Sequence, residues 1–329
     1  MTASRAVVAP PELSAVRISR LAVLAVAALA AVAWPLATYT LTLAGLGVVH
    51  VLCELRYVDL RFGARLARRL RVGLLAVLLG IVGGRLARRA GLVDGDTGAL
   101  LELGLGVGLV VLVMPALVRG RRALVGLAVG LALAIGAALA PVPTLLAIAV
   151  VHNLTPIGFL AEATAGRARW RALTIAALVF GVVPLVIATG APFTLLAWLG
   201  VPAPEASVLP AGHLASHFRA YLPEAALARP WTLHAFTACV FLQCAHYVYV
   251  IDVLPRGLPR GARGTVPWPT GTVALACLAG AALIAVTAFA SDFGDARARY
   301  GALAALHAWL EVPVLLLAMI PAARRGPDP

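Results

Sequence analysis

Apolar runs of helical length, cut at intervals by short arginine clusters, repeat along the whole chain, from LAVLAVAALAAVAWPLAT (21–38) to WLEVPVLLLAM (309–319). A hydrocarbon layer about 30 Å thick is crossed by about 20 residues of helix at roughly 1.5 Å per residue. Lipid offers no partner for backbone N–H and C=O groups, so such runs must close their hydrogen bonds internally, as helices do. Cutting the chain at its arginine clusters, prolines and polar breaks gives ten candidate spans: 20–38, 41–58, 72–90, 98–118, 123–140, 143–163, 172–197, 231–254, 269–290 and 300–321. The fold expected is all-α. It is a polytopic transmembrane helix bundle of about ten spans, a single integral membrane domain over 1–329, with an outer loop at about 200–230 and short cytoplasmic tails.

Composition agrees: 62% of the 329 residues are hydrophobic and 12% charged, with mean hydropathy +0.96, which excludes a water-soluble core and shell. The net charge of +13 does not point to nucleic acid, because the basic residues lie between apolar runs rather than on a recognition element. With both termini in the cytoplasm, RISR (17–20), RFGARLARRLR (61–71), RGRR (119–122), GRARWR (166–171), PRGLPRGAR (255–263) and the AARRG tail all fall inside, as the positive-inside rule requires. RLARR (85–89) falls outside and is the main exception. Arg17 and Arg20 stand directly before the first apolar run with no small-residue cleavage site soon after, so an uncleaved first helix is expected rather than a signal peptide. All 27 basic residues are arginine, which excludes Schiff-base chemistry on a lysine amine. The four cysteines fall inside apolar runs without C-x-x-C spacing, so neither a disulfide framework nor a zinc knuckle is indicated.

Ionisable groups at bilayer depth are costly, and each is a candidate functional residue. The second span, LTLAGLGVVHVLCELRYVD, puts His50, Glu54 and Tyr57 on one helical face. The tenth, YGALAALHAWLEVPVLLLAM, does the same with Tyr300, His307 and Glu311. The sixth span contributes His152, Asn153, Thr155 and Glu162, and the eighth Gln243, His246, Tyr249 and Asp252. All four spans run from outside to inside, and helical rise puts His50, His152 and Glu311 at a depth of roughly 14–17 Å, His307 at about 10 Å, Gln243 at about 18 Å and His246 at about 22 Å. One mid-membrane slab can hold them, whereas Glu162 and Asp252 come out near the cytoplasmic ends. Pro156 cannot donate to the carbonyl of residue 152, which loosens the helix at His152 itself.

Imidazoles and carboxylates projected inward from separate helices are the ligand types that hold iron, copper, manganese or zinc. The candidate metal ligands are His50, Glu54, His152, His246, His307 and Glu311, with Tyr57, Asn153, Gln243, Tyr249 and Tyr300 as hydrogen-bonding partners that orient them. The same residues can instead serve as a proton relay, or only specify helix packing. His213 and His217, an i, i+4 pair in the outer loop, and His234 are read as structural.

Histidines on apolar helices, with HYVYVID (246–252) after an apolar helix and HLASHF (213–218), resemble the bacterial Brp/Blh-type β-carotene dioxygenases, although VVHVLCELRYVD stands where that family carries P-H-G-x-x-D. The resemblance implies a histidine-bound iron acting on a lipid-soluble substrate. The expected function is thus a cell-membrane, multi-pass oxidoreductase with an iron site, acting on a carotenoid, isoprenoid or acyl chain reached from the bilayer, and the sequence does not name its electron donor. Haem is a variant without a C-x-x-C-H attachment motif. The alternative is a proton-coupled transporter using the same cluster without metal.

Overall fold

Proline sets the first boundary. In the computed structural model, which describes residues 18–117, 121–259 and 261–318, α1 (Ile18–Ala33) stops at Trp34 and α2 (Pro35–Phe62) starts on Pro35. A proline at the first helical position forgoes no hydrogen bond and pushes the preceding residue out of the helical region. The break expected near residue 40 therefore lies several residues earlier. The tails, and Arg17, Arg119 and Arg260 of the cytoplasmic clusters, lie outside the described residues.

The remaining helices are α3 (Arg68–Arg89), α4 (Gly95–Leu117), α5 (Arg121–Leu139), α6 (Pro141–His152), α7 (Thr155–Ala163) and α8 (Gly166–Ala177), then α9 (Val183–Ala188), α10 (Ala191–Ala197), α11 (Thr232–Val248), α12 (Gly271–Ser291) and α13 (Phe293–Ala318). π-Helical turns, Leu178–Val182 and Tyr249–Val253, follow α8 and α11. Among the described residues eight helical segments are long and apolar enough to cross a membrane, and α6 with α7, bent by 42°, makes a ninth if the pair is one span. α1, at 16 residues, is apolar but shorter than these spans, so eight or nine spans stand where ten were expected. Two further boundaries differ from expectation. The seventh span ends at Ala188 rather than at residue 197, because Gly190 turns the chain with φ 80° before α10. The last helix begins at Phe293, about two turns before Tyr300, after Asp292 has capped it by accepting from the Asp295 backbone N–H at 2.9 Å.

Burial separates inner from outer helices. α11 is central: 83% of its apolar window is buried, against 6% for α5 and 11% for α12. The outer two present Leu127, Leu131, Leu283 and Ile284 on the surface, an apolar belt of the kind lipid covers. One apolar cluster gathers α1, α2, α8 and α11, and a second gathers α3, α4 and α5. α13 belongs to both, which places His307 and Glu311 at their junction.

Trp309 is the knob that seats α13 on α4, and Gly106 is its hole. A Cβ at residue 106 would lie 2.2 Å from Trp309 Cζ3. Gly106→Ala is therefore expected to lower stability by about 1–3 kcal/mol, the usual cost of overpacking, read as a lower melting temperature in neutral detergent. An unchanged melting temperature rules out this seat.

At the end marked cytoplasmic by the arginine clusters, acidic residues tie helices to loops. Asp59 accepts from the Thr265 and Val266 backbone N–H groups, the Thr265 hydroxyl and Trp268 Nε1. Glu162 pairs with Arg61 at 2.9 Å and Arg65 at 3.2 Å, and Asp252 with Arg20 at 2.5 Å and with Arg256. Both carboxylates are thus end residues, as their sequence depth implied. The outer loop forms a 3₁₀ turn, Leu214–Ala220, in which His217 packs between Tyr39 and Phe293. His217 Nε2 donates to the Ala211 carbonyl at 2.8 Å, and burial holds its imidazole below the ordinary histidine range.

Candidate metal centre

Four elements each bring one imidazole to the same point: α2 His50, α6 His152, α11 His246 and α13 His307. One ring nitrogen from each lies within 4.8 Å of those of the other three. His50, His246 and His307 are at most 2% exposed. His152 is the last residue of α6, where the break before α7 turns the chain. Thr155 Oγ1 takes up the freed His152 carbonyl at 2.7 Å, so the loosening at Pro156 is satisfied by a side chain.

The hydrogen-bond partners assign the protons. His50 Nδ1 donates to the Leu46 carbonyl at 3.3 Å, and His152 Nδ1 donates to Glu311 Oε2 at 2.5 Å. In a neutral imidazole the proton sits on one nitrogen only, so both Nε2 atoms carry lone pairs. These two lone pairs point at one atom. His307 Nε2 lies 3.1 Å from His50 Nε2 and 3.0 Å from His152 Nε2. A proton on His307 Nε2 can serve one of those contacts, and the other leaves lone pair facing lone pair. A cation among the three removes the conflict. Two nitrogens bound at about 2.0–2.1 Å and subtending 90–109° are about 2.9–3.4 Å apart, the range these pairs occupy.

Charge gives a second test. Glu54 and Glu311 are both at most 1% exposed. Glu54 Oε2 lies 3.4 Å from His246 Nε2 and 3.9 Å from His307 Nε2, and neither Glu54 oxygen has a hydrogen-bond partner among the described residues. An ionised carboxylate without a partner is among the most costly things to bury. With both ionised beside neutral imidazoles the two carboxylates would bring two negative charges, which a divalent cation would balance.

Glu311 acts through His152: one oxygen accepts from Nδ1, and the other accepts from Thr155 Oγ1 at 2.7 Å. A carboxylate behind a ligating histidine fixes its tautomer and raises its basicity. Glu311→Gln is expected to weaken metal affinity about 10–100-fold while leaving four imidazoles in place, measured by chelator competition. Unchanged affinity would remove Glu311 from this role.

The proposed orienting residues lie as follows. Tyr300 closes one side, its hydroxyl 3.3 Å from that of Tyr247. Asn153 turns back to its own helix, Nδ2 donating to the Ala149 carbonyl at 2.9 Å. Gln243 donates to Thr42 Oγ1 at 3.2 Å and accepts from the Tyr221 hydroxyl. Tyr57 packs its ring on Phe159 and Tyr249 on Phe180, and neither hydroxyl finds a partner among the described residues. The Tyr300 ring centroid is 6.4 Å from that of His50, and Asn153 and Gln243 line the same cavity as His50, His152 and His307.

Several contributors carried no readable signal of their own. Tyr247 stacks on His50 with ring centroids 4.1 Å apart, yet in sequence it is one more aromatic in an apolar helix. Trp309 Nε1 donates to Glu102 Oε1 at 2.8 Å, and Arg85 grips the same carboxylate through Nε at 2.9 Å and Nη2 at 2.6 Å. In the sequence Arg85 is only one residue of RLARR, the exception to the charge pattern.

A cavity of about 150 Å³ adjoins the cluster, with His50, His152, His307, Tyr247 and Tyr300 on one side and Leu145, Ile148, Ala304 and Ala308 on another. His50, His152 and His307 thus line open space, and His246 is not among the lining residues. A cavity of this volume holds a group about the size of benzene. The chain matches no protein-family model, no curated protein and no solved structure.

Proposed function

We propose that this chain is a cell-membrane oxidoreductase in which His50, His152, His246 and His307, with Glu54 beside them and Glu311 behind His152, hold iron and act on a lipid-soluble substrate. The observation that carries the metal is the pair of imidazole lone pairs aimed at His307 Nε2. Iron is favoured over calcium or magnesium because the donors are nitrogen-rich, and over structural zinc because the imidazoles border a cavity. Iron in such a site supplies dioxygen activation. Haem fits poorly: a macrocycle needs a flat slot between its axial ligands, and the Nε2 atoms at 3.0 and 3.1 Å leave none.

The residues around the cluster do the rest. Leu145, Ile148, Ala304 and Ala308 exclude water and receive an apolar group. Tyr300 also lines an apolar groove of about 320 Å³ between α2, α12 and α13, with Val48, Ile284 and Leu303, so its ring separates that groove from the histidine cavity. Gly47 makes room for the ring, since a Cβ there would lie 3.0 Å from Tyr300 Cε2. Displacement of Tyr300 opens a lateral path from lipid. Because the cavity is benzene-sized, a long substrate presents only a short segment to the histidines, which favours isoprenoid and acyl chains over a bulky carotenoid ring system.

The test is dioxygen uptake by metal-loaded protein in neutral-detergent micelles supplied with a total lipid extract, followed by mass analysis of the lipids. Metal-dependent uptake with an oxidised lipid product is expected. The 42° break at His152 favours, as a second reading, a carrier whose helices rock at that point. Proton-coupled flux in liposomes from metal-free protein, with no oxygen uptake, selects the carrier and discards the oxidoreductase.

A further inference from the structure

Beyond the histidine cavity, toward the start of α13, lies a second cavity of about 430 Å³ lined by Arg85, Arg88, Arg89, Gly294, Arg297 and Gly301. Three of these arginines are the RLARR cluster that stands against the positive-inside pattern. Packing explains only part of it. Arg85 is taken by Glu102, and Asp295 is shared by Arg89 and Arg299. Arg297 meets the His217 ring, at 3.4 Å, and among the described residues neither Arg297 nor Arg88 has a carboxylate within ion-pair distance. Four guanidiniums line this concave wall against two carboxylates, one of them shared with Arg299, which leaves at least two positive charges without an acidic partner among the described residues.

The two cavities share Arg85 and Gly301. Arg85 Nη1 donates to the Gly301 carbonyl at 2.6 Å, so this contact is the partition between a basic chamber and an apolar one. From Arg297 to His307 is ten residues of α13, roughly 15 Å of helix. An extended chain covers that in about a dozen bonds, at roughly 1.2 Å per bond.

We infer that the basic chamber binds the phosphate head of an amphiphile whose apolar chain reaches past Arg85 to the histidine centre. The charge decides between head groups: a phosphate monoester carries about −1.5 to −2 near neutral pH and matches the surplus, whereas a carboxylate brings one charge. Guanidinium forks suit phosphate oxygens in geometry as well. This inference rests on the metal-centre reading for the fate of the chain, not for the binding of the head.

The experiment is calorimetric titration of the purified full chain in neutral detergent with dodecyl phosphate, 1-dodecanol and inorganic phosphate. Saturable binding of dodecyl phosphate is expected, much tighter than either fragment. The double variant Arg88→Gln/Arg297→Gln is expected to bind it on the order of 100-fold more weakly, about tenfold per charge-assisted contact, with metal content unchanged. Arg88→Gln alone, at an exposed position, is the fallback if the double variant does not fold, with a loss of about tenfold. Equal affinity in the folded variant overturns the inference. So does dodecanol binding as tightly as dodecyl phosphate, or inorganic phosphate doing so, which marks a site for a free anion. His307→Ala separates the two proposals: dodecyl phosphate binding that survives metal loss keeps this site even if the metal has no catalytic part.

Discussion

His307→Ala is expected to lose bound metal while keeping the helical fold. His307 Nε2 is the atom on which the His50 and His152 nitrogens converge, at 3.1 and 3.0 Å, so its removal takes away the centre of the ligand set. Four-ligand structural zinc sites have apparent binding free energies of about 10–16 kcal/mol, or roughly 2.5–4 kcal/mol per ligand. One ligand fewer thus means affinity lower by about 100- to 1,000-fold. Fold should survive, because the neighbours are small (Ala304, Ala308) and the helix continues on both sides. Metal analysis after dialysis against a weak chelator, with circular dichroism alongside, checks both halves. Full metal retention in the variant contradicts the assignment.

The second large effect lies at the wall shared by the two cavities. Glu102 is 3% exposed and holds two Arg85 nitrogens and Trp309 Nε1. Glu102→Ala strands the guanidinium of Arg85, which is only 27% exposed, and leaves the indole N–H without its partner. Removing one member of a buried ion pair costs about 3–5 kcal/mol, and the partial exposure of Arg85 argues for the lower end. The variant is expected to melt many degrees lower in detergent. Arg85→Leu combined with Glu102→Leu should recover most of that loss, since removing both charges leaves none stranded. A single variant as stable as wild type, or a double variant no better than the single, defeats this explanation of the cluster.

Both effects bear on what could be read from the sequence. The helical class, the succession of spans and the four histidines were legible because lipid permits few backbone solutions and makes each ionisable residue conspicuous. His50 with Glu54, and His307 with Glu311, stood out by i, i+4 spacing, and the break at His152 by Pro156. Partner choice was not legible. Glu311 shares a helical face with His307, yet its oxygens go to His152 and Thr155 on other elements. Asn153 is adjacent to His152 and therefore about 100° around the helix from it, which sends its amide to its own backbone. Gln243 shares a face with His246 but meets Tyr221 and Thr42, a choice made by how α11 sits among its neighbours. The pairing of Arg85 with Glu102 crosses from α3 to α4 and takes in Trp309 of α13, a three-helix contact that no spacing along the chain encodes.

X-ray absorption at the metal edge tests the shared imidazole centre most directly, on full-length protein purified without added chelator. The expected spectrum is that of stoichiometric iron in a shell of nitrogen and oxygen scatterers at about 2.0–2.2 Å, with the outer-shell pattern of several imidazoles, and diminished in His307→Ala. Folded protein that contains no transition metal, takes none up from solution and is indifferent to chelator contradicts it.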